Sequence, residues 1–153
     1  MLKYLNYDIV FQEIPDEVTL AINLSGCPYR CRECHSPALQ KDIGEELDEK
    51  VLTGLLQVYG KAITCVCFMG GDAHTEKVYE LAEHVQKKWK GTIKTAWYSG
   101  KDSVHDRVSD CFDFVKIGPY IKALGGLDKK TTNQRLYHIK NGHLVDITYQ
   151  LQK

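Results

Sequence analysis

Three cysteines lie close together in the first quarter of the chain. Cys27, Cys31 and Cys34 fall within eight residues at the spacing C-x3-C-x2-C, so their thiolates can reach one metal centre without long-range folding. Cysteine thiolates hold cubane iron–sulfur clusters, usually with four ligands to a cluster. Three ligands leave one iron without a protein ligand, and an open coordination position is what a catalytic metal centre requires. The spacing therefore predicts a [4Fe–4S] cluster with one open iron.

A zinc site is the main alternative for these cysteines, with His35 as a fourth ligand. Adjacent Cys34 and His35 would chelate one tetrahedral ion awkwardly, and the second C-x2-C pair that is usual in zinc sites is missing. Three ordinary loop cysteines are the other alternative, which the clustering disfavours in a cytosolic protein because disulfides are rare there and clustered cysteines more often bind metal. The spacing favours the iron–sulfur cluster.

The surrounding sequence predicts βα units that form a parallel sheet. Val18 to Leu24 alternates like a strand with one apolar face and runs into the cysteine segment. Strands are also predicted over 63–69, 92–98 and 113–117, and helices over 47–59, 75–90 and, as a short polar one, 103–110. The C-terminal part is not predicted to continue the βα units. There, Asn141-Gly142 between two apolar runs is typical of a β-hairpin with a tight turn. We expect a single domain over residues 1–153.

Short polar or glycine-rich turns follow each of the predicted parallel strands. They are the cysteine segment, Gly70-Gly71-Asp72, Ser99-Gly100 and Gly118-Pro119. Sites in parallel βα sheets gather at the carboxyl ends of the strands. Four chain segments are therefore predicted to converge on one edge of the sheet. Asp72 is therefore expected at this site; alternatively, it caps the helix that follows it.

Composition excludes some classes of function. The chain has 153 residues with 20 Lys and Arg against 20 Asp and Glu, so no overall charge attracts it to nucleic acid or to an acidic membrane. No run of about 18 apolar residues is present, and the N-terminus lacks the apolar core of a signal peptide. A cytoplasmic location is the expectation, with no membrane and no nucleic acid as partner.

The cysteine spacing after the predicted strand Val18 to Leu24 resembles the signature of the radical S-adenosylmethionine superfamily. In that superfamily the three cysteines follow the first strand of a barrel. Further motifs occur in a fixed order: Cys34-His35-Ser36-Pro37, Phe68-Met69-Gly70-Gly71-Asp72, Trp97-Tyr98-Ser99-Gly100, Val115 to Ile121, and Thr131 to Leu136. Together with the short chain, they resemble the activating protein of the anaerobic ribonucleoside-triphosphate reductase. The resemblance covers roughly residues 19–136, and it implies a partial, open β/α barrel with a C-terminal hairpin, since a full eight-fold barrel needs about 250 residues.

The resemblance also implies an activity. The open iron would bind S-adenosylmethionine, and reductive cleavage would yield methionine and a 5′-deoxyadenosyl radical. The radical would take the α-hydrogen of a glycine in the large subunit of the reductase, with a low-potential carrier such as flavodoxin as electron donor. An activase of pyruvate formate-lyase, a small-molecule enzyme such as a carboxy-deazaguanine synthase, and a non-enzymatic zinc-stabilised interaction module are the alternatives.

The residues implied to contact S-adenosylmethionine are Glu33, Cys34, His35, Gly70, Gly71, Asp72 and Ser99. The chain departs from the family pattern at Glu33, where an aromatic residue is common, at Ala73, where proline is common, and at Lys116, where an acidic residue is common. Cys65 and Cys67 lie two apart in the predicted buried strand and are interpreted as core residues, since cysteine is among the most buried residue types. Cys111 is interpreted as structural.

Overall fold

The computed structural model describes residues 1–26 and 43–152. Within these ranges the chain forms one mixed eight-stranded sheet and three α-helices. The strands are β1 (Lys3–Val10), β2 (Thr19–Leu24), β3 (Glu45–Glu46), β4 (Cys65–Met69), β5 (Lys94–Tyr98), β6 (Phe114–Ile117), β7 (Arg135–Lys140) and β8 (His143–Asp146). The helices are α1 (Glu49–Tyr59), α2 (Thr75–Lys88) and α3 (Val108–Cys111).

The centre of the sheet is parallel and its flanks are antiparallel. The strand order is β3-β1-β2-β4-β5-β6-β7-β8, in which β2, β4, β5 and β6 run parallel to one another. Strand β1 pairs antiparallel with β2 and β3, and β7 pairs antiparallel with β6 and β8. These pairings give the order and register of the strands; the curvature of a partial barrel stays a prediction.

The two faces of the central strands bury different side chains because successive residues of a strand point to opposite faces. On the helical face, Leu20, Ile22, Val66, Phe68 and Trp97 join the main core against the helices. The opposite face carries a smaller cluster that the segments outside the central strands complete; its buried members are Ile14, Cys65, Cys67, Ala96, Phe114, Leu136 and Ile147.

Capping residues and apolar residues at helical spacing account for the positions of α1 and α2. Helix α1 begins after Asp48, whose Oδ1 accepts the Val51 amide at 2.9 Å, and it buries Leu52 and Leu56. Val51 and Leu55, one position earlier in the helix, are half-buried at the margin of this contact. Helix α2 buries Val78, Leu81, Ala82 and Val85, and it ends at Lys88, two residues earlier than the prediction.

Two features depart from the sequence-based predictions. Strand β1 has no predicted counterpart, although Leu5, Tyr7 and Ile9 alternate with polar residues; none of its side chains is fully buried. The helix predicted over 103–110 is only the four-residue α3, because the segment before it packs back toward the sheet edge through His105. The predicted hairpin is present, with Asn141 and Gly142 at φ of 51° and 77° in its turn.

Within the described ranges, no helix is long and apolar enough to cross a lipid bilayer.

Candidate functional site

Four chain segments meet at the carboxyl edge of the parallel strands. The register aligns Asn23 of β2, Met69 of β4, Tyr98 of β5 and Lys116 of β6, so these strands end together. Backbone hydrogen bonds extend the alignment beyond the strands, from the Gly70 amide to the Tyr98 carbonyl and from the Ser99 amide to the Lys116 carbonyl, both at 2.9 Å. The predicted convergence is confirmed for the three turns that the structure describes.

The two flanks of the cysteine segment meet at the same edge. Ser25 lies directly after β2, and its amide donates to the Lys3 carbonyl at 3.0 Å. The Ser25 hydroxyl donates to the carbonyl of Ile43, which stands on the other side of the cysteine segment in the sequence. The chain therefore enters and leaves this segment at neighbouring positions beside the Gly70-Gly71 turn. The predicted cluster ligands Cys27, Cys31 and Cys34, together with Glu33 and His35, lie outside the described residues.

Gly70 and Gly71 form a turn that only glycines accommodate well. Both have positive φ, 106° and 87° respectively, a region in which a side chain costs about 1–2 kcal/mol. A Cβ at Gly71 would lie 2.7 Å from Val78 Cγ2 and 2.8 Å from Leu24 Cδ1, so the turn packs directly on the core. A Cβ at Gly70 would lie 3.4 Å from the Leu24 carbonyl oxygen, close to the strand that leads into the cysteines. The backbone of this turn is thus fixed and free of side-chain bulk.

Asp72 is held by the neighbouring turn and does not cap a helix. Its Oδ1 accepts the Ser99 hydroxyl and lies 3.0 Å from His105 Nε2, and its Oδ2 accepts the Gly100 amide at 3.0 Å. Only 2% of the side chain is exposed. Helix α2 has His74 at its N-cap and no side-chain cap hydrogen bond, so the capping interpretation of Asp72 is wrong.

Ser99 is fully buried, and its hydroxyl belongs to the same group of contacts. Besides donating to Asp72, the hydroxyl accepts the Lys101 amide at 3.1 Å and lies 3.2 Å from His105 Nε2. The sequence assigned His105 no role, and no pattern could have identified it, because its partner Asp72 lies 33 residues away in the chain. The His105 ring also stacks on Trp97, with ring centroids 4.4 Å apart and planes inclined by 14°.

Lys116, one of the departures from the family pattern, fixes the ends of two strands. Its ammonium donates to the Ser99 carbonyl at 3.2 Å and to the Gly118 carbonyl at 2.9 Å. It also lies 5.8 Å from the centroid of the Tyr98 ring, within the range of a cation–π contact. A lysine is accommodated here because the surrounding carbonyl groups accept its hydrogen bonds.

The cysteines that the structure describes lie in the core. Cys65 and Cys67 are fully buried, and burial raises the pKa of both thiols well above the ordinary value. Cys111 is also buried, and desolvation, with Glu83 as a second cause, raises its pKa to about 11. The interpretation of these cysteines as structural agrees with this, and within residues 1–26 and 43–152 no group of three His, Cys, Asp or Glu could hold a metal ion.

Residues 18–140 match the family model of the 4Fe-4S single cluster domain. The match spans β2 to β7 and includes Cys27, Cys31 and Cys34. The chain therefore belongs to this family of iron–sulfur proteins. No curated protein and no solved structure matches the chain.

Proposed function

We propose that the chain is a radical S-adenosylmethionine activase, with Cys27, Cys31 and Cys34 as the ligands of its [4Fe–4S] cluster. The observation that carries the proposal is the C-x3-C-x2-C spacing within a chain that belongs to an iron–sulfur family. Three thiolate ligands leave one iron open for the amino and carboxylate groups of S-adenosylmethionine. Cys65, Cys67 and Cys111 are poor candidates for the fourth ligand, because all three are fully buried, Cys65 and Cys67 in the smaller cluster and Cys111 in the main core.

The residues at the carboxyl edge of the parallel strands also suit the binding of S-adenosylmethionine. The Gly70-Gly71 turn brings bare backbone next to the strand that leads into the cysteines, and backbone carbonyls suit an ammonium group. When bound and reduced at the cluster, S-adenosylmethionine supplies a 5′-deoxyadenosyl radical that removes a hydrogen atom from the substrate. The protein residues at this edge would bind and orient the molecule.

We further propose that the substrate is a glycine in the large subunit of the anaerobic ribonucleoside-triphosphate reductase. This step rests on the order of the sequence motifs, including Thr131 to Leu136. A partial barrel that is open on one side would admit a macromolecular substrate. The zinc module is disfavoured by the family to which the chain belongs.

The substrate assignment is tested with two purified reaction partners. The reconstituted protein is reduced, supplied with S-adenosylmethionine, and mixed with either the large reductase subunit or pyruvate formate-lyase under anaerobic conditions. We expect a glycyl radical in the reductase by electron paramagnetic resonance, with one 5′-deoxyadenosine released for each radical formed. A radical only in pyruvate formate-lyase would move the substrate to that enzyme, and cleavage with neither protein responding would contradict both substrates.

A further inference from the structure

His105 joins two turns at the proposed cofactor edge. Its Nε2 lies 3.0 Å from Asp72 Oδ1 and 3.2 Å from Ser99 Oγ, and its ring stacks on buried Trp97. An ionised carboxylate only accepts hydrogen bonds, so Nε2 carries the hydrogen in this contact. With 11% of its side chain exposed, His105 closes the outer side of this group of contacts.

His105 is connected to the Gly70-Gly71 turn in two ways, through Asp72 and through Trp97. Asp72 is covalently next to Gly71, and its carboxylate is fixed by Ser99, Gly100 and His105. Trp97, on which His105 stacks, donates from its indole Nε1 to the Gly70 carbonyl at 2.6 Å. One imidazole therefore restrains both ends of the Gly70 to Asp72 turn, through a hydrogen bond at one end and through a stacked ring at the other.

We propose that His105 is a positioning residue for S-adenosylmethionine: it holds the Gly70 to Asp72 turn in the shape that receives the methionine part of the molecule. The inference rests on the proposed function and assigns it a residue. The Asp72 carboxylate accepts hydrogen bonds from three protein donors, and these contacts fix the end of the turn. His105 acts through the turn and touches neither substrate nor cluster.

The test compares three variants with the wild type. His105→Phe keeps a flat ring over Trp97 and removes the hydrogen bond to Asp72, whereas His105→Gln restores a donor of similar reach. His138→Phe is the matched control, because His138 also stacks on an aromatic ring, Phe114, with centroids 4.4 Å apart. Phe114 belongs to the smaller cluster on the opposite face of the sheet.

The measurements are the iron and sulfide content, the melting temperature, and the dissociation constant of S-adenosylmethionine for the anaerobically reconstituted proteins. We expect His105→Phe to bind the molecule roughly ten-fold more weakly, as the loss of one positioned hydrogen bond implies. His105→Gln should recover most of this affinity, and His138→Phe should bind like the wild type. Cluster content should be the same in all four proteins.

Wild-type affinity in a folded, cluster-loaded His105→Phe variant would overturn the positioning role while leaving the proposed function intact. A wild-type protein that holds its cluster and binds no S-adenosylmethionine would overturn both. If His105→Phe does not fold, His105→Asn takes its place, because the shorter amide does not reach Asp72 and remains polar in a half-buried loop. Affinity in that variant equal to the wild type would contradict the inference in the same way.

Discussion

The indole Nε1 of Trp97 donates a hydrogen bond to the carbonyl oxygen of Gly70 across 2.6 Å. The donor belongs to β5 and the acceptor follows β4, so the bond fastens the glycine turn to the neighbouring strand. Trp97 is fully buried in the main core, which makes the position of this donor rigid. The Trp97 side chain therefore connects the core of the fold to the candidate site.

Replacing Trp97 with phenylalanine should destabilise the fold. Trp97→Phe removes the donor to the Gly70 carbonyl and leaves a gap in a closely packed core, for which we expect a loss of about 2–4 kcal/mol in the free energy of unfolding. Urea denaturation of the metal-free protein measures this loss in the free energy of unfolding. Trp89→Phe is the control, since Trp89 is only half-buried at the end of α2 and its replacement should cost less than about 1 kcal/mol. Equal losses in the two variants would contradict a special role of the Trp97 contact.

Alanine at Gly71 should be poorly tolerated for two separate reasons. The positive φ of 87° costs about 1–2 kcal/mol for any side chain, and the new Cβ would overlap Val78 and Leu24 at a further cost of about 1–3 kcal/mol. Gly91→Ala carries only the first of these costs, because Gly91 has a φ of 78° and open space around it. Thermal or urea unfolding should show Gly71→Ala to be the less stable variant, and the reverse order would contradict the described packing of the turn.

The described cysteines should resist alkylation in the native protein at pH 7. Raised pKa values keep the thiols of Cys65, Cys67 and Cys111 protonated, and the thiol form does not react. For Cys111, whose pKa is about 11, the reactive thiolate should appear only as the pH rises toward that value. Peptide mass spectrometry after timed iodoacetamide treatment locates the modified residues, with urea-unfolded protein as the positive control. Rapid labelling of Cys65 or Cys67 at neutral pH would show that these residues are not in the core.

Single cysteine replacements should divide the six cysteines into two groups of three. Cys27→Ala, Cys31→Ala and Cys34→Ala should each abolish stable cluster binding, since two thiolates are too few to hold the cluster. Cys111→Ala should retain the wild-type content of iron and acid-labile sulfide. Both contents are measured after anaerobic reconstitution under identical conditions. Full cluster content in any of the first three variants would require a different ligand set.

The elements that the sequence predicts well are those with a strong local pattern. Helix α2 and strand β2 carry periodic apolar residues, and strand β4 is a continuous apolar run that ends at Gly70; these features act over a few residues. Strand β1 has a weaker pattern, because the alternation of Leu5, Tyr7 and Ile9 with polar residues is short and none of its side chains is fully buried. Its place in the sheet is decided by long-range pairing with Thr19–Leu24, which a local pattern does not record.

The residues of the candidate site also differ in whether a local sequence pattern predicts them. The cysteine spacing and the Gly70-Gly71-Asp72 turn are local signals, so the sequence alone is enough to identify them. His105 gives no such signal, because its partners Asp72, Trp97 and Ser99 come together only when β4 and β5 pair. The partners of the Asp72 carboxylate are likewise unpredictable, since an aspartate at the start of a helix is most often a cap.

The radical activase is tested most directly by the electron paramagnetic resonance spectrum of the anaerobically reconstituted, reduced protein with and without S-adenosylmethionine. We predict the signal of a reduced [4Fe–4S] cluster, and a change in that signal when S-adenosylmethionine is added, because the molecule binds the open iron. A cluster signal that S-adenosylmethionine leaves unchanged would contradict the radical activase. A protein that takes up zinc and forms no cluster would contradict the iron–sulfur centre itself.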